Sequence, residues 1–124
     1  MKIAKENVGR DLKVIRAYAP GRVNVSDTLL TKSFIVAADR LIEDWPPQRF
    51  EDLDAANLEA ALALEPEILI IGTGAAQRFL PGELMGALSR RGMGVEVMDT
   101  AAACRTYNVL LSEDRKVVAA ILMI

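Results

Sequence analysis

The chain has 124 residues, of which 52% are apolar, with 15 basic against 17 acidic side chains and a formal charge of −2. That length builds one hydrophobic core and not two, so residues 1–124 are expected to form a single domain. The charges are mixed in both halves without a basic stripe, which excludes the footprint of a nucleic-acid binder; the absence of histidine and the lone cysteine, Cys104, exclude Ser–His–acid and Cys–His catalysis, histidine-ligated metals, thiolate clusters and an internal disulfide.

The opening MKIAKENVGRDLK has neither the apolar core of a secretory signal nor the arginine- and serine-rich look of a transit peptide, and a cytoplasmic location is expected. Leu12 to Tyr18 reads as a strand running into Ala19-Pro20-Gly21, a pair suited to the centre of a turn. Val23-Asn24-Val25 alternates with period two, Ser26-Asp27 makes a break, and Ser33 to Ala37 and Leu41 to Asp44 are two further short strands. Trp45-Pro46-Pro47 closes this β block, since proline cannot donate to a ladder.

From there the period changes. Asp54 or Asn57 can cap a short helix ending near Leu64, and Glu65-Pro66 stops it. Ile68 to Ile71 is a continuous aliphatic run, as in a strand covered on both faces. Pro81 suits the first position of a helix with Leu84, Met85 and Leu88 on one face, ended by Gly92. Val95 to Met98 is a strand, Asp99 or Thr100 caps a helix to about Leu111, and Lys116 to Met123 is the last strand, placed centrally because it is apolar nearly throughout. The longest apolar run, Val117 to Ile124, is far short of the roughly 20 residues a membrane helix needs. The expected fold is α/β: an antiparallel N-terminal β block joined to a β-α-β-α-β half with a mixed sheet.

Two strand ends, Gly72-Thr73-Gly74 and Asp99-Thr100, are expected on one edge of that sheet, where open α/β folds place their ligands. The glycines invite an anion-binding reading through backbone amides, but no Gly-Lys-Ser/Thr follows and Gln77 stands where a dinucleotide fingerprint has its third glycine. The loop from Gly72 to Leu80 carries Gln77, Arg78 and Phe79, donors beside an aromatic, which suits a protein interface; the plain alternative has Phe79 plugging the core. Asp99 and Thr100 have an obvious capping role. Cys104 lies early in the helix, where the dipole lowers a thiol pKa, yet its spacing with Tyr107 and Leu111 places it on the edge of the apolar stripe. Arg105 points about 100° away, toward solvent or a partner, and is the expected functional charge, paired with Asn108. Glu43, Asp44, Glu51, Asp52 and Asp54 lack EF-hand spacing and read as a solvated loop, with Trp45 and Phe50 as core residues or exposed anchors. No catalytic residue, metal or cofactor is expected.

The segments Pro20 to Val25, Leu69 to Gly74 (LIIGTG), Gln77 to Pro81 (QRFLP) and above all Gly94 to Leu122 (GVEVMDTAAACRTYNVLLSEDRKVVAAIL) resemble a family of small domains of uncharacterised biochemistry. Its mitochondrial members include respiratory complex I assembly factor 3. The resemblance implies a compact α/β fold with a mixed sheet and a β-hammerhead-like N-terminal part, no established catalysis, and other assembly factors or complex I subunits as partners. Without a transit peptide the chain looks like a bacterial member of alphaproteobacterial type. Gly72, Thr73, Gly74, Asp99, Thr100, Ala102, Cys104 and Arg105 match the family's motif positions.

Two functional readings of different class follow. One is a non-enzymatic binding protein, an assembly factor for a membrane respiratory complex, that holds a protein partner on the Gly72–Leu80 loop and the Asp99–Asn108 helix start. The other is a small-anion or nucleotide binder, with or without catalysis, that uses the Gly72–Gly74 amides with Arg78 or Arg105. Thiol redox chemistry at Cys104 is a third.

Overall fold

The computed structural model describes residues 12–124; the stretch from Met1 to Asp11, on which most of the leader-sequence reading rests, lies outside the described residues. Three short strands come first: β1 (Ile15–Ala19), β2 (Arg22–Val25) and β3 (Thr28–Leu30), paired as an antiparallel meander. Gly21, at φ 79°, makes the first turn. The sequence reading stops at Ser26-Asp27 and misses β3. Those two residues are the loop of a tight hairpin, with Ser26 left-handed at φ 50°, and the three-residue strand that follows is too short for its alternation to register.

β4 (Phe34–Ala37) and β5 (Arg40–Ile42) form a second hairpin that leaves the N-terminal block, β4 pairing antiparallel with the last strand of the chain. After Trp45 and a 3₁₀ turn at Phe50–Asp52 come α1 (Ala55–Leu62), β6 (Ile68–Gly72), α2 (Gly82–Ser89), β7 (Gly94–Met98), α3 (Thr100–Ser112) and β8 (Val117–Ile121). Asp54 caps α1 by accepting from Asn57 N–H at 2.8 Å. Pro81 stands one place earlier than expected, at the cap rather than inside α2.

The five-stranded sheet runs β5-β4-β8-β6-β7, with β8, β6 and β7 parallel and β4 and β5 antiparallel. β8 is central, and its fully apolar sequence is the reason, because both of its faces are covered. Ile70, Val117, Ala119 and Ile121 pack with Phe34 and Val36 beneath α3 and the three-stranded meander. Leu69, Ile71, Val118 and Ala120 pack beneath α1 and α2, joined by Trp45 and Leu53. The result is one α/β domain with an antiparallel and a mixed sheet. Among the described residues no helix is long and apolar enough to cross a membrane.

Candidate functional site

The carboxyl ends of β6, β7 and β8 gather at one pole. There the winding reverses: α2 crosses from β6 to β7 on one face, and α3 returns from β7 to β8 on the other. Open α/β sheets keep a ligand crevice at such a switch point. Here the crevice is occupied by Thr100, which is fully buried. Its Oγ1 accepts from Gly74 N–H at 2.9 Å and donates to Leu122 O at 2.6 Å, tying two strand ends to the start of α3. Thr100 N–H donates in turn to Gly74 O at 2.9 Å.

The glycines serve the same closure. A Cβ on Gly72 would stand 3.0 Å from Ile121 Cδ1, 3.0 Å from Thr100 Oγ1 and 3.1 Å from Ala103 Cβ, so α3 sits as close as it does only over glycine. Gly74 has φ 100°. Thr73 N–H donates to Met98 O at 2.9 Å, and Thr73 Oγ1 donates to Ala76 O at 2.6 Å. The Thr73 and Gly74 amides that an anion cradle would use are therefore spent inside the fold. Asp99 is the cap of α3, accepting from Ala102 N–H at 2.9 Å.

The loop beyond Gly74 is exposed from Ala75 to Phe79. Gln77 Nε2 donates to Val97 O at 3.4 Å. Arg78 donates to Glu51 Oε2 at 3.1 Å and lays its guanidinium over the Phe50 ring, 4.6 Å from the centroid. The Glu51 carboxyl lies below its ordinary pKa, first through a backbone hydrogen bond and then through Arg78. Between these ties and the start of α2, Phe79 stands 83% exposed and does not plug the core. Sequence reasoning missed the supports of Arg78, because Phe50 and Glu51 lie far back in the chain. Trp45, by contrast, is a core residue whose Nε1 donates to Asn57 O at 2.8 Å.

On α3 the residues named from sequence divide by face. Cys104 is fully buried, and burial pushes its thiol up to about 12 against the lowering influence of Arg105. Arg105 is exposed and donates to Tyr18 Oη at 2.9 Å, so its partner is not Asn108 as expected. Asn108 accepts from Ile15 N–H at 3.0 Å and donates to Ile15 O at 2.7 Å, and Tyr107 Oη donates to Lys13 O at 2.7 Å. Three side chains of the CRTYN segment thus fasten the N-terminal meander to α3. Gln77–Phe79 and Arg105–Asn108 do not merge into one surface: Phe50 and Leu80 lean on the α1/α2 core, and Tyr18 and Tyr107 belong to the opposite one. A cavity of about 460 Å³ lies at the other pole, lined among others by Leu12, Asp39, Arg40, Leu64 and Asp114, and none of the candidate binding residues lines it.

The sequence profile of the family described as "Protein of unknown function (DUF498/DUF598)" matches residues 15–122. The chain is 34% identical over 111 residues to NADH dehydrogenase (ubiquinone) 1 alpha subcomplex assembly factor 3 of Danio rerio; the match covers 88% of the chain and 63% of that relative. It is 30% identical over 105 residues to the 13 kDa major membrane protein of Francisella tularensis, covering 82% of the chain and 84% of that protein. A crystal structure of a Bordetella parapertussis protein superposes with a TM-score of 0.87 at 38% identity, covering 94% of this chain and 99% of that one.

Proposed function

The chain belongs to the DUF498/DUF598 family of unknown function, and from that premise we propose that it is a protein-binding domain of a membrane respiratory complex's assembly pathway, docking its partner through the Gly72–Leu80 loop. The name of the Danio rerio relative supports the assembly role. The observation that carries the docking site is Phe79, a large apolar side chain held almost wholly in solvent on a loop whose flanking residues are tied to β7 and to the 3₁₀ turn. A pre-ordered aromatic loses little freedom on binding, which is what an interface anchor needs. The anion-binding alternative draws no support from the Gly72–Gly74 segment, whose Thr73 and Gly74 amides have partners within the fold.

The test is a crosslinked pull-down of the tagged protein from its native cells, run beside Phe79→Ala and read by mass spectrometry. Burying a Phe side chain is worth about 1.5–3 kcal/mol, so the substitution should weaken partner binding by roughly ten- to a hundredfold without changing the melting temperature. Respiratory-complex subunits or assembly proteins should appear with the wild type and vanish with the variant. Equal recovery of the same proteins in both lanes would remove the loop from the interface.

A further inference from the structure

We infer that β7 offers its free edge to an extended segment of the protein partner, taken up as a sixth strand with a basic residue set opposite Glu96. The inference rests on the partner-binding reading above. Among the described residues β7 ends the five-stranded sheet and pairs on one side only, with β6. Two hydrogen bonds fix which backbone groups face which way: Gly94 N–H donates to Glu67 O at 3.0 Å, and Met98 O accepts from Thr73 N–H at 2.9 Å. Backbone direction alternates along a strand, so Gly94, Glu96 and Met98 face β6. Both polar backbone groups of Val95 and of Val97 then face outward. Among the described residues, Gln77 meets this edge, its exposed carboxamide reaching Val97 O across a long 3.4 Å. An edge with two outward residues offers two donors and two acceptors to an added strand, the Val97 acceptor being one that Gln77 must share or release.

The side chains define the occupant. Val95 and Val97 are half-buried against the α1/α2 core, and Glu96 is exposed on the other face. A second copy joined about the two-fold axis that uses both outward residues, pairing Val95 with Val97, would set Glu96 against Glu96 in a non-hydrogen-bonded pair, where opposed side chains come closest and like charges repel. An outward carboxylate of this kind guards an edge against self-pairing. A strand reading apolar–basic–apolar meets the opposite condition. Its charge faces Glu96, its apolar residues extend the Val95–Val97 row, and it lies beside the loop that Gln77 ties to this edge.

The probe is an acetylated, amidated peptide, Thr-Thr-Val-Arg-Val-Thr-Thr, added at millimolar concentration to the isotope-labelled protein while amide exchange is followed by NMR. It should slow exchange at Val95 and Val97 and leave Gly94, Glu96 and Met98, already bonded to β6, unchanged. The same peptide with Glu for Arg should do nothing to the wild type and should act on Glu96→Lys. Val95→Pro deletes an outward N–H and no β6 bond, so it should fold and lose the response. No slowing at Val95 and Val97 with the arginine peptide overturns the inference. So does slowing that grows with protein concentration alone, which would mean a second copy. In the pull-down, a partner lost by Phe79→Ala but kept by Val95→Pro would sink the strand proposal and leave the docking loop standing, whereas a partner kept by both would remove both.

Discussion

Thr100 concentrates the logic of the pole in one side chain. Its hydroxyl satisfies a donor and an acceptor from two different strand ends, in a place where no water reaches it. Thr100→Val keeps the shape and leaves Gly74 N–H and Leu122 O unpaired, which should cost about 1–3 kcal/mol in denaturant unfolding; an unchanged midpoint would contradict the closure. Cys104 gives a second prediction. Its thiol is held protonated up to about 12 in the folded state against an ordinary value of 9.0, and burial raises Tyr107 in the same direction. The folded state therefore keeps protons that the unfolded chain has lost, so the contribution is whole below pH 9 and is lost as pH rises toward 12. The fall in melting temperature over that range should be shallower in Cys104→Ala, and native thiol should alkylate only after denaturation. Identical pH slopes, or labelling of the native thiol, would contradict its burial. The burial of Cys104 was legible in its spacing with Tyr107 and Leu111. The partner of Arg105 was not, because Tyr18 lies 87 residues away and reaches it only once the meander has folded back.

At the scale of elements, legibility followed apolar content. β6 and β8 carry unbroken aliphatic runs and lie where those runs predict strands, β8 at the centre of the sheet. Ala120, fully buried between Ile35 and Ile71 on the neighbouring strands, should therefore not accept charge. Ala120→Asp should yield no folded protein, since an unpaired buried carboxylate costs several kcal/mol against a total stability of about 5–15; a cooperative unfolding transition in that variant would refute the placement. β3 escaped sequence reading because three residues with one inward side chain, Leu30, hold too little pattern. The route of β4 into the mixed sheet was equally hidden, since pairing partners are a property of the whole chain. The meander itself is fastened to α3 by Tyr107, Asn108 and Arg105. Asn108→Ala should raise amide exchange in β1 to β3 while leaving β6 and β8 protected. Uniform loss of protection across both sheets would mean that the meander is no separate unit.

Seen whole, the molecule has a closed pole and an open flank. The strand ends that sequence reading marked as a ligand place are sealed by Thr100, Gly72 and Asp99. Beside it, among the described residues, stand the exposed Phe79 and the outward backbone groups of β7. The position of the pole was legible because glycine after β6 and a capping Asp-Thr after β7 announce their own local geometry. Its closure was not, because the hydrogen bonds that fill it join residues 22 and 26 positions apart. Other large apolar side chains are exposed too, Leu29 at 56% and Val109 at 54%, but each stands on a regular element, whereas Phe79 stands on a loop with its own supports. The most direct measurement places a photoreactive amino acid at position 79, with position 109 as control, and identifies what crosslinks in the native cells. A protein of respiratory-complex assembly should be captured from position 79 and not from 109. Capture of lipid alone at 79, or of the same protein only from 109, would contradict it.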